Sequence, residues 1–200
     1  MATYDFPNIA PTTSTFELVQ NTRVFSSPLS NTIQTQSRGG AYWKIKLTFN
    51  NLSGANRAEL QAFLVKLNGQ EHRFRVKDHA YTQRGTVTSD SGLTVTAGQT
   101  GSSLALTSAQ ASKTGYLKAG DYINHQNHLH MVTADCNSDS SGNVTVPIAP
   151  PLRATTAATD NIDVVEPVTG VFILMSTPSW TSKPGIISNF SLDAVEDLLA

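Results

Sequence analysis

The sequence predicts a mainly β protein with one packed α-helix, and three observations support this prediction. The 200 residues include 24 Thr and 20 Ser, and Thr fits a pleated, half-buried surface better than a helix. Short segments that alternate between apolar and polar residues recur along most of the chain. A single stretch with a period of about 3.6 residues interrupts them. A chain of this length can bury a core as one large domain or two small ones.

The clearest strand is "AYWKIKLTFNNL", in which apolar and polar residues alternate strictly. Its apolar face carries Trp43, Ile45, Leu47 and Phe49. This alternation predicts one face in the core and one in solvent. Upstream, "TFELVQNTRVFSS" predicts a pair of strands joined at the turn-prone "QNT". Downstream, "HRFRVKD" predicts another strand, which ends near Arg84-Gly85.

The helix is predicted near residues 54–67, within "LSGANRAELQAFLVKLNGQ". Its apolar face is formed by Leu60, Phe63, Leu64 and Leu67. Ser53 is placed to cap the free N–H groups of the first turn. Gly69 stands where a residue in the left-handed conformation closes the last turn.

The composition changes at about Thr86 and changes back around Asp163. Between these points aromatic residues almost vanish, and five short segments predict strands: "GLTVTAG", "SSLALTSA", "DYINH", "HLHMV" and "NVTVPIAPPL". This texture is typical of a small barrel or sandwich. After this segment, "GVFILMST" and "GIISNFSLDAVEDLL" again contain aromatic residues and alternating apolar residues, as the first third of the chain does. We therefore expect an outer β domain from residues 1–85 and 165–200, with residues 86–164 inserted into it.

The charge and the cysteine content exclude several classes of function. Charged residues make up 14% of the chain and the net charge is −1, so we expect no electrostatic recognition of nucleic acid. The single cysteine, Cys136, excludes an internal disulfide and a Cys-based zinc cluster, and it has no neighbouring cation to activate it. No signal-peptide pattern and no apolar run long enough to span a membrane are present. We expect a soluble cytosolic product that does not insert into membranes.

The segment "INHQNHLHMV" places three histidines within six positions. The "QN" pair predicts a hairpin turn, with His125 on one arm and His128 and His130 on the other. Zinc or nickel would need three or four such ligands with neutral nitrogens. Neither a fourth ligand nor a nearby carboxylate shell is evident from the sequence. The favoured interpretation is therefore a polar hairpin tip without a metal.

No motif for catalysis is present, neither a nucleophile elbow, a phosphate-binding Gly loop nor a zinc-protease helix. We expect no enzyme activity, no catalytic residues and no cofactor. Asp193 and Glu196 are interpreted as solvated positions that flank an apolar pattern. The segment 135–142, "DCNSDSSG", is interpreted as a hairpin turn, because Ser140 and Val146 stand where a helical calcium loop needs Gly and a bidentate acid.

Flat aromatic faces suit both sugars and protein interfaces. Trp43 lies on the apolar face of its strand and is predicted to be core. Trp180 lies in "STPSWTSKPG", a Pro-flanked loop, and is predicted to be exposed. The candidate contacts to a partner or glycan are Trp180, Tyr122, His128 and His130.

Five blocks follow one another along nearly the whole chain. They are "GGAYWKIKLTF", "ANRAELQAFLVKLNGQEHRFRVKD", the block from "GDYI" to "PPLR", "GVFILMSTPSW" and "FSLDAVEDL". Their order resembles that of the distal tail proteins of long-tailed bacteriophages. The helix ending in "LNGQ" and the "GDYI" to "PPLR" block are the most specific parts of this resemblance.

The resemblance implies a ring-forming tail-type β domain, built from both ends of the chain, that carries an inserted barrel like an oligosaccharide/oligonucleotide-binding fold. It implies that six copies form a ring at the distal end of the tail tube, in a virion assembled in the host bacterial cytoplasm. The expected partners are further copies of the chain, the tail tube protein, and the hub, tip and fibre proteins. Two alternatives stay open: another ring-forming tail protein, tube-like or completion-like, and a carbohydrate-binding module whose barrel grips host glycans.

Overall fold

The computed structural model describes residues 1–166, 168–182 and 188–199. It is 45% strand and 7% helix, and the described residues hold one α-helix, α1 (Gly54–Lys66). The prediction of a mainly β protein is confirmed. The strands are β1 (Thr3–Asp5), β2 (Thr13–Val19), β3 (Thr22–Ser26), β4 (Ile33–Ser37), β5 (Tyr42–Leu52), β6 (Arg73–Lys77), β7 (Thr94–Val95), β8 (Gly101–Thr107), β9 (Tyr122–His125), β10 (His128–Val132), β11 (Val144–Leu152), β12 (Ile162–Asp163), β13 (Thr169–Leu174), β14 (Ser179–Ser182) and β15 (Ser188–Glu196).

A seven-stranded sheet combines strands from the first 77 residues with strands that follow residue 168. Its order is β1-β6-β13-β15-β5-β2, and β14 pairs with β15 beside the end of β13. The β1–β6 pair is parallel and the other pairs are antiparallel. Because β15 lies between β5 and β13, the end of the chain completes a sheet that the beginning cannot form alone.

Strand β5 and helix α1 form the core of this sheet, as the sequence predicted. The apolar face of β5 (Trp43, Ile45, Leu47 and Phe49) is at most 3% exposed. The predicted apolar face of α1 (Leu60, Phe63, Leu64 and Leu67) is buried against the same cluster. Burying such side chains contributes roughly 1.5–3 kcal/mol each, so this contact accounts for a large part of the stability of the sheet.

The predicted left-handed Gly69 after α1 is confirmed, whereas the N-terminal end differs from the prediction. Ser53 holds the N-cap position in an extended conformation, but its side chain makes no capping hydrogen bond. At the other end both Asn68 (φ 49°) and Gly69 (φ 67°) are left-handed. The N–H of His72 then donates to the carbonyl oxygen of Leu67, at 3.2 Å, which closes the helix and turns the chain toward β6.

A six-stranded sheet forms the middle of the chain, in the order β12-β9-β10-β11-β8-β7. It curls into a nearly closed, barrel-like sheet. The five strands predicted for this segment are confirmed, and the short β12 is a sixth that the sequence pattern did not reveal. A second cluster of buried apolar side chains, centred on Leu104, Leu106, Tyr116, Ile123 and Val146, fills its interior.

The hairpin of β9 and β10 has the predicted two-residue turn. Gln126 (φ 51°) and Asn127 (φ 67°) both have positive φ, which is the requirement of a type I′ turn. His125 and His128 are therefore directly paired across the two strands. On the opposite face of the hairpin, Tyr122 and Leu129 pack into the core of the seven-stranded sheet, so this hairpin joins the two cores.

Two predicted connections differ in the structure. The two strands of "TFELVQNTRVFSS" exist, but β2 pairs with β5 and β3 pairs with β4, so the predicted pairing between them is wrong. Trp180 lies in strand β14, where a loop was predicted. The predicted terminal strand is described from Ser188 onward; residues 185–187 lie outside the described residues.

The chain enters the middle sheet through a loop held by one buried carboxylate. Asp121 is 0% exposed and accepts a hydrogen bond from the hydroxyl of Tyr81 at 3.1 Å. It also accepts from the backbone N–H groups of Arg84 (2.8 Å) and Gly85 (2.9 Å). A fourth donor is the N–H of Lys118, at 2.8 Å. The carboxylate thereby fixes the crossing from the first sheet to the second.

Candidate functional site

Glu196 is the centre of the junction between the two sheets. Its side chain is fully buried, and its Oε2 accepts from the guanidinium of Arg153 at 2.7 Å and from the N–H of Trp43 at 3.1 Å. Its Oε1 accepts from the N–H of Leu129 at 3.3 Å and lies 3.4 Å from Nδ1 of His128. One carboxylate therefore ties β15 to β5, to β10 and to the segment that follows β11.

The surroundings of Glu196 keep it ionised. Burial by itself raises the pKa of this carboxyl. The close approach of Nδ1 of His128 and the charge of Arg153 outweigh burial, and the net pKa is lowered from its ordinary value. A buried charge that is matched in this way is stable only while its partners remain, since removing one leaves the other uncompensated.

A second carboxylate, Asp160, holds the tip of the β9–β10 hairpin. Its Oδ2 lies 3.0 Å from Nε2 of His125, and its Oδ1 accepts from the side-chain amide of Gln126 at 2.8 Å. The N–H of Ala157 also donates to Oδ2, at 2.8 Å. The carboxylate shell that the sequence did not reveal is therefore supplied by residues far along the chain, Asp160 and Glu196.

His130 is the most buried of the three histidines, with 1% exposure. Its Nδ1 lies 2.8 Å from the carbonyl oxygen of Pro150, and a carbonyl oxygen can only accept, so Nδ1 carries the proton. Burial is the main cause that lowers the pKa of His130 to about 4. The imidazole is therefore neutral near neutral pH.

We expect His130 to make the stability of the fold depend on pH. The folded-state pKa of about 4 lies below the ordinary value of about 6.5 for a histidine, so the stabilising effect of the neutral ring is complete above pH 6.5 and is lost as the pH falls toward 4. Over pH 6.5 to 5 this loss amounts to about 1.5 kcal/mol. His130→Gln should remove this part of the dependence, which urea unfolding at several pH values measures directly.

Asp163→Asn provides a control of opposite sign. Burial, followed by the neighbouring Asp90, raises the pKa of Asp163 to about 6, so its effect on stability is lost as the pH rises through 6. The Asn variant should therefore make stability rise more steeply with pH than in the wild type. Equal slopes for the His130→Gln variant and the wild type would contradict the assignment to His130.

The structure places the four candidate contact residues in different environments. Tyr122 is 5% exposed and packs in the first core, and His130 is buried behind the carbonyl of Pro150. Neither side chain can touch a partner in this conformation. His128 keeps a 13% exposed side chain at the edge of a cavity of about 230 Å³. Trp180, at 38% exposure, is the most accessible of the four.

Trp180 stands beside hydroxyl and amide side chains, since it lines a shallow cavity of about 230 Å³ together with Ser179, Thr181 and Asn189. It is paired in register with Phe190, and the two ring centroids are 6.1 Å apart, so the indole lies on the core-facing side of β14. The adjacent hydroxyl and amide side chains of Ser179, Thr181 and Asn189 alternate to the other face. The middle segment offers no replacement, because its Tyr116 is also fully buried.

A group of exposed apolar side chains lies on one hairpin. We call residues 22–37, which include β3 and β4, the arm. Every residue of both strands is exposed, and these strands pair only with each other. The exposed apolar residues of the arm are Val24 (61%), Phe25 (51%), Leu29 (98%) and Ile33 (68%). An isolated two-stranded hairpin is at best marginally stable in water, so the arm is a surface that a partner would stabilise.

Sequence reasoning missed Glu196, which was interpreted as solvated. The signal was present in the two-residue alternation of β15, where Phe190, Leu192 and Ala194 are buried. Glu196 has the same parity as these three residues and is 3% exposed. Asp193 has the opposite parity and is partly exposed. The interpretation of Glu196 as solvated is therefore wrong, because its position in the alternation of β15, and not its residue type, determines that its side chain points into the core.

The thiol of Cys136 offers no reactive site. The residue is buried, and its Sγ lies 3.6 Å from the carbonyl oxygen of Leu117. Burial is the main cause that raises the pKa of this thiol, which lowers its thiolate fraction and hence its reactivity.

Searches of known proteins add no functional assignment. No family model matches the chain, and no curated protein matches it at a significant level of similarity. Among the described residues, no helix is both long and apolar enough to cross a membrane.

Proposed function

We propose that this chain is a structural virion protein that forms a ring, of six copies, at the distal end of a phage tail tube. In this role it acts as a hub between the tube and the tail tip or fibres. The single observation that most supports the proposal is the arm. It exposes four large apolar side chains, its two strands pair only with each other among the described residues, and it carries Arg23 as its only charged residue.

A second copy of the chain is the occupant that best fits the arm. Two-fold pairing buries the same patch on both copies, whereas a head-to-tail contact between different patches forms a ring when the rotation from copy to copy closes. The arm projects beside β2, whose seven residues pair with β5 on one side only among the described residues. An unpaired strand of this length invites pairing with another chain. The arm and the β2 edge together supply one half of a head-to-tail contact.

The low charge of the chain supports the same role. With a net charge of −1, copies repel one another weakly and association is favoured. The strands of the six-stranded sheet all lie between Thr94 and Asp163. The end of β11 borders the base of the arm across a cavity, and β8 and β7 lie beyond β11 in the sheet order. In a ring formed by the first sheet, this second sheet remains free to meet the tip or the fibres.

Removing the apolar side chains of the arm should abolish assembly without unfolding the chain. The variant changes Val24, Phe25, Leu29 and Ile33 to Ser. Since the arm strands pair with no other described strand and these side chains are exposed, the melting temperature should stay near that of the wild type. Light scattering coupled to size-exclusion chromatography should show an oligomer for the wild type and a monomer for the variant.

Val65→Ser is the matched control, because Val65 is 68% exposed on α1, outside the arm. It should assemble as the wild type does. An arm variant that still forms the wild-type oligomer would show that the arm is not the contact. A wild-type chain that stays monomeric at high concentration and does not bind purified tail tubes would refute the proposed function.

A further inference from the structure

A cleft of about 390 Å³ lies between the base of the arm and the end of strand β11. One wall is formed by residues that border the arm, 20–21 and 37–41, and the other by residues 150–153. We call this cavity the arm cleft. Ligand pockets in proteins usually measure about 300–1,000 Å³, so the arm cleft is large enough for a small organic molecule.

The charged side chains that line the arm cleft are two arginines, Arg38 and Arg153, and no acidic residue of the described chain lines it with them. Glu196 pairs with Arg153 and offsets part of its charge, so the excess positive charge comes mainly from Arg38. The exposed guanidinium of Arg38 makes no hydrogen bond or ion pair with any described residue. The arm cleft therefore favours a negatively charged ligand.

Arg153 is held in place on its wall of the arm cleft. Its side chain is 16% exposed, and its Nη2 donates to Oε2 of Glu196 at 2.7 Å. Nη1 of the same guanidinium has no hydrogen-bond partner among the described residues and is not fully buried, so its N–H groups can be reached from solvent. A side chain that is already fixed loses little conformational freedom when a ligand binds to it.

Two glycines add backbone donors to the opposite wall. The N–H groups of Gly39 and Gly40 make no hydrogen bond with any described residue. The backbone is nevertheless fixed here, because the side-chain amide of Asn21 donates to the carbonyl oxygen of Gly39 at 3.2 Å. A Cβ at either glycine would meet no atom within 4 Å, so the space beside them is open. Successive backbone N–H groups without partners are a common way of binding anions.

We propose that the arm cleft binds a small organic oxyanion, whose carboxylate or phosphate group is held by Arg38 and Arg153. Guanidinium groups match the geometry of both anionic groups. The carbon body of the ligand lies against the apolar wall formed by residues 150–152. Binding breaks no contact described above, because it uses only donors without partners and leaves the pair between Arg153 and Glu196 intact. Since the two walls belong to the arm and to β11, the bound anion joins the arm to the six-stranded sheet.

Titration calorimetry of the full chain with citrate and with glycerol 3-phosphate tests the proposal, with NaCl of equal ionic strength as the reference. We expect one site per chain, with a Kd of about 1 mM or tighter. Arg38→Gln should bind at least tenfold more weakly and keep its melting temperature, because the Arg38 side chain has no described partner. Arg23→Gln is the matched control, since it makes the same change of charge on β3, outside the arm cleft, and it should bind as the wild type does.

The amide resonances of Gly39 and Gly40 give a readout on the wild-type chain itself. Citrate should shift them saturably and NaCl should not. A tenfold preference between the two probes identifies the anionic group as carboxylate or phosphate. Binding no stronger than that of chloride, an Arg38→Gln variant that binds as tightly as the wild type, or an equal loss in Arg23→Gln would each overturn the site. The proposal does not depend on ring formation.

Discussion

Replacing Glu196 by Ala should destabilise the chain by about 3–5 kcal/mol, the loss expected when one partner of a buried ion pair is removed. The substitution leaves the guanidinium of Arg153 uncompensated and removes the acceptor of the N–H groups of Trp43 and Leu129. Because these groups belong to both sheets, the loss should affect the whole fold. Urea unfolding followed by tryptophan fluorescence measures it.

Asp193→Ala is the matched control, three residues earlier on the same strand and with the opposite parity. Asp193 is partly exposed, so its change should stay within about 0.5 kcal/mol of the wild type. A Glu196→Ala variant as stable as the Asp193→Ala variant would show that the carboxylate does not hold the junction together.

Replacing Gly85 by Ala should cost about 3 kcal/mol or more, at the upper end of the range for overpacking. A Cβ at this position would overlap the carbonyl oxygen of Tyr116 and lie 2.8 Å from Cα of Leu117 and 2.9 Å from Oδ2 of Asp121. Two of these three neighbours are backbone and cannot move aside alone. The added methyl must also displace the carboxylate that fixes the crossing between the sheets. Thermal unfolding gives the magnitude.

The control for this substitution is Gly39→Ala. A Cβ at Gly39 meets no atom within 4 Å, and Ala narrows the conformations of the unfolded chain, so the variant should be as stable as the wild type or slightly more stable. A Gly85→Ala variant that unfolds at the wild-type temperature would contradict the close packing around Gly85 at this crossing.

Local sequence patterns were sufficient to predict the elements whose structure is determined by residues within the element itself. The alternation of β5 and the 3.6-residue period of α1 each report a buried face directly, and both faces are buried as predicted. The hairpin turn at Gln126 and Asn127 follows from residues that tolerate positive φ. In these cases the signal lies within a single element.

The missed features depend on contacts between distant parts of the chain. Strand β2 pairs with β5 and leaves β3 to β4, a choice that the turn-prone residues between β2 and β3 cannot reveal. Asp160 and Glu196 meet the histidines only because loops and strands return to the same place. Strand parity could have indicated that Glu196 points inward. Its partners, by contrast, could not be predicted without the fold.

The most direct test of the proposed function is electron microscopy of the purified full chain at high concentration, with the particles classified for rotational symmetry. The proposal predicts closed six-fold rings with an open lumen, and their loss in the arm variant. Compact monomers that also fail to bind purified tail tubes would contradict it.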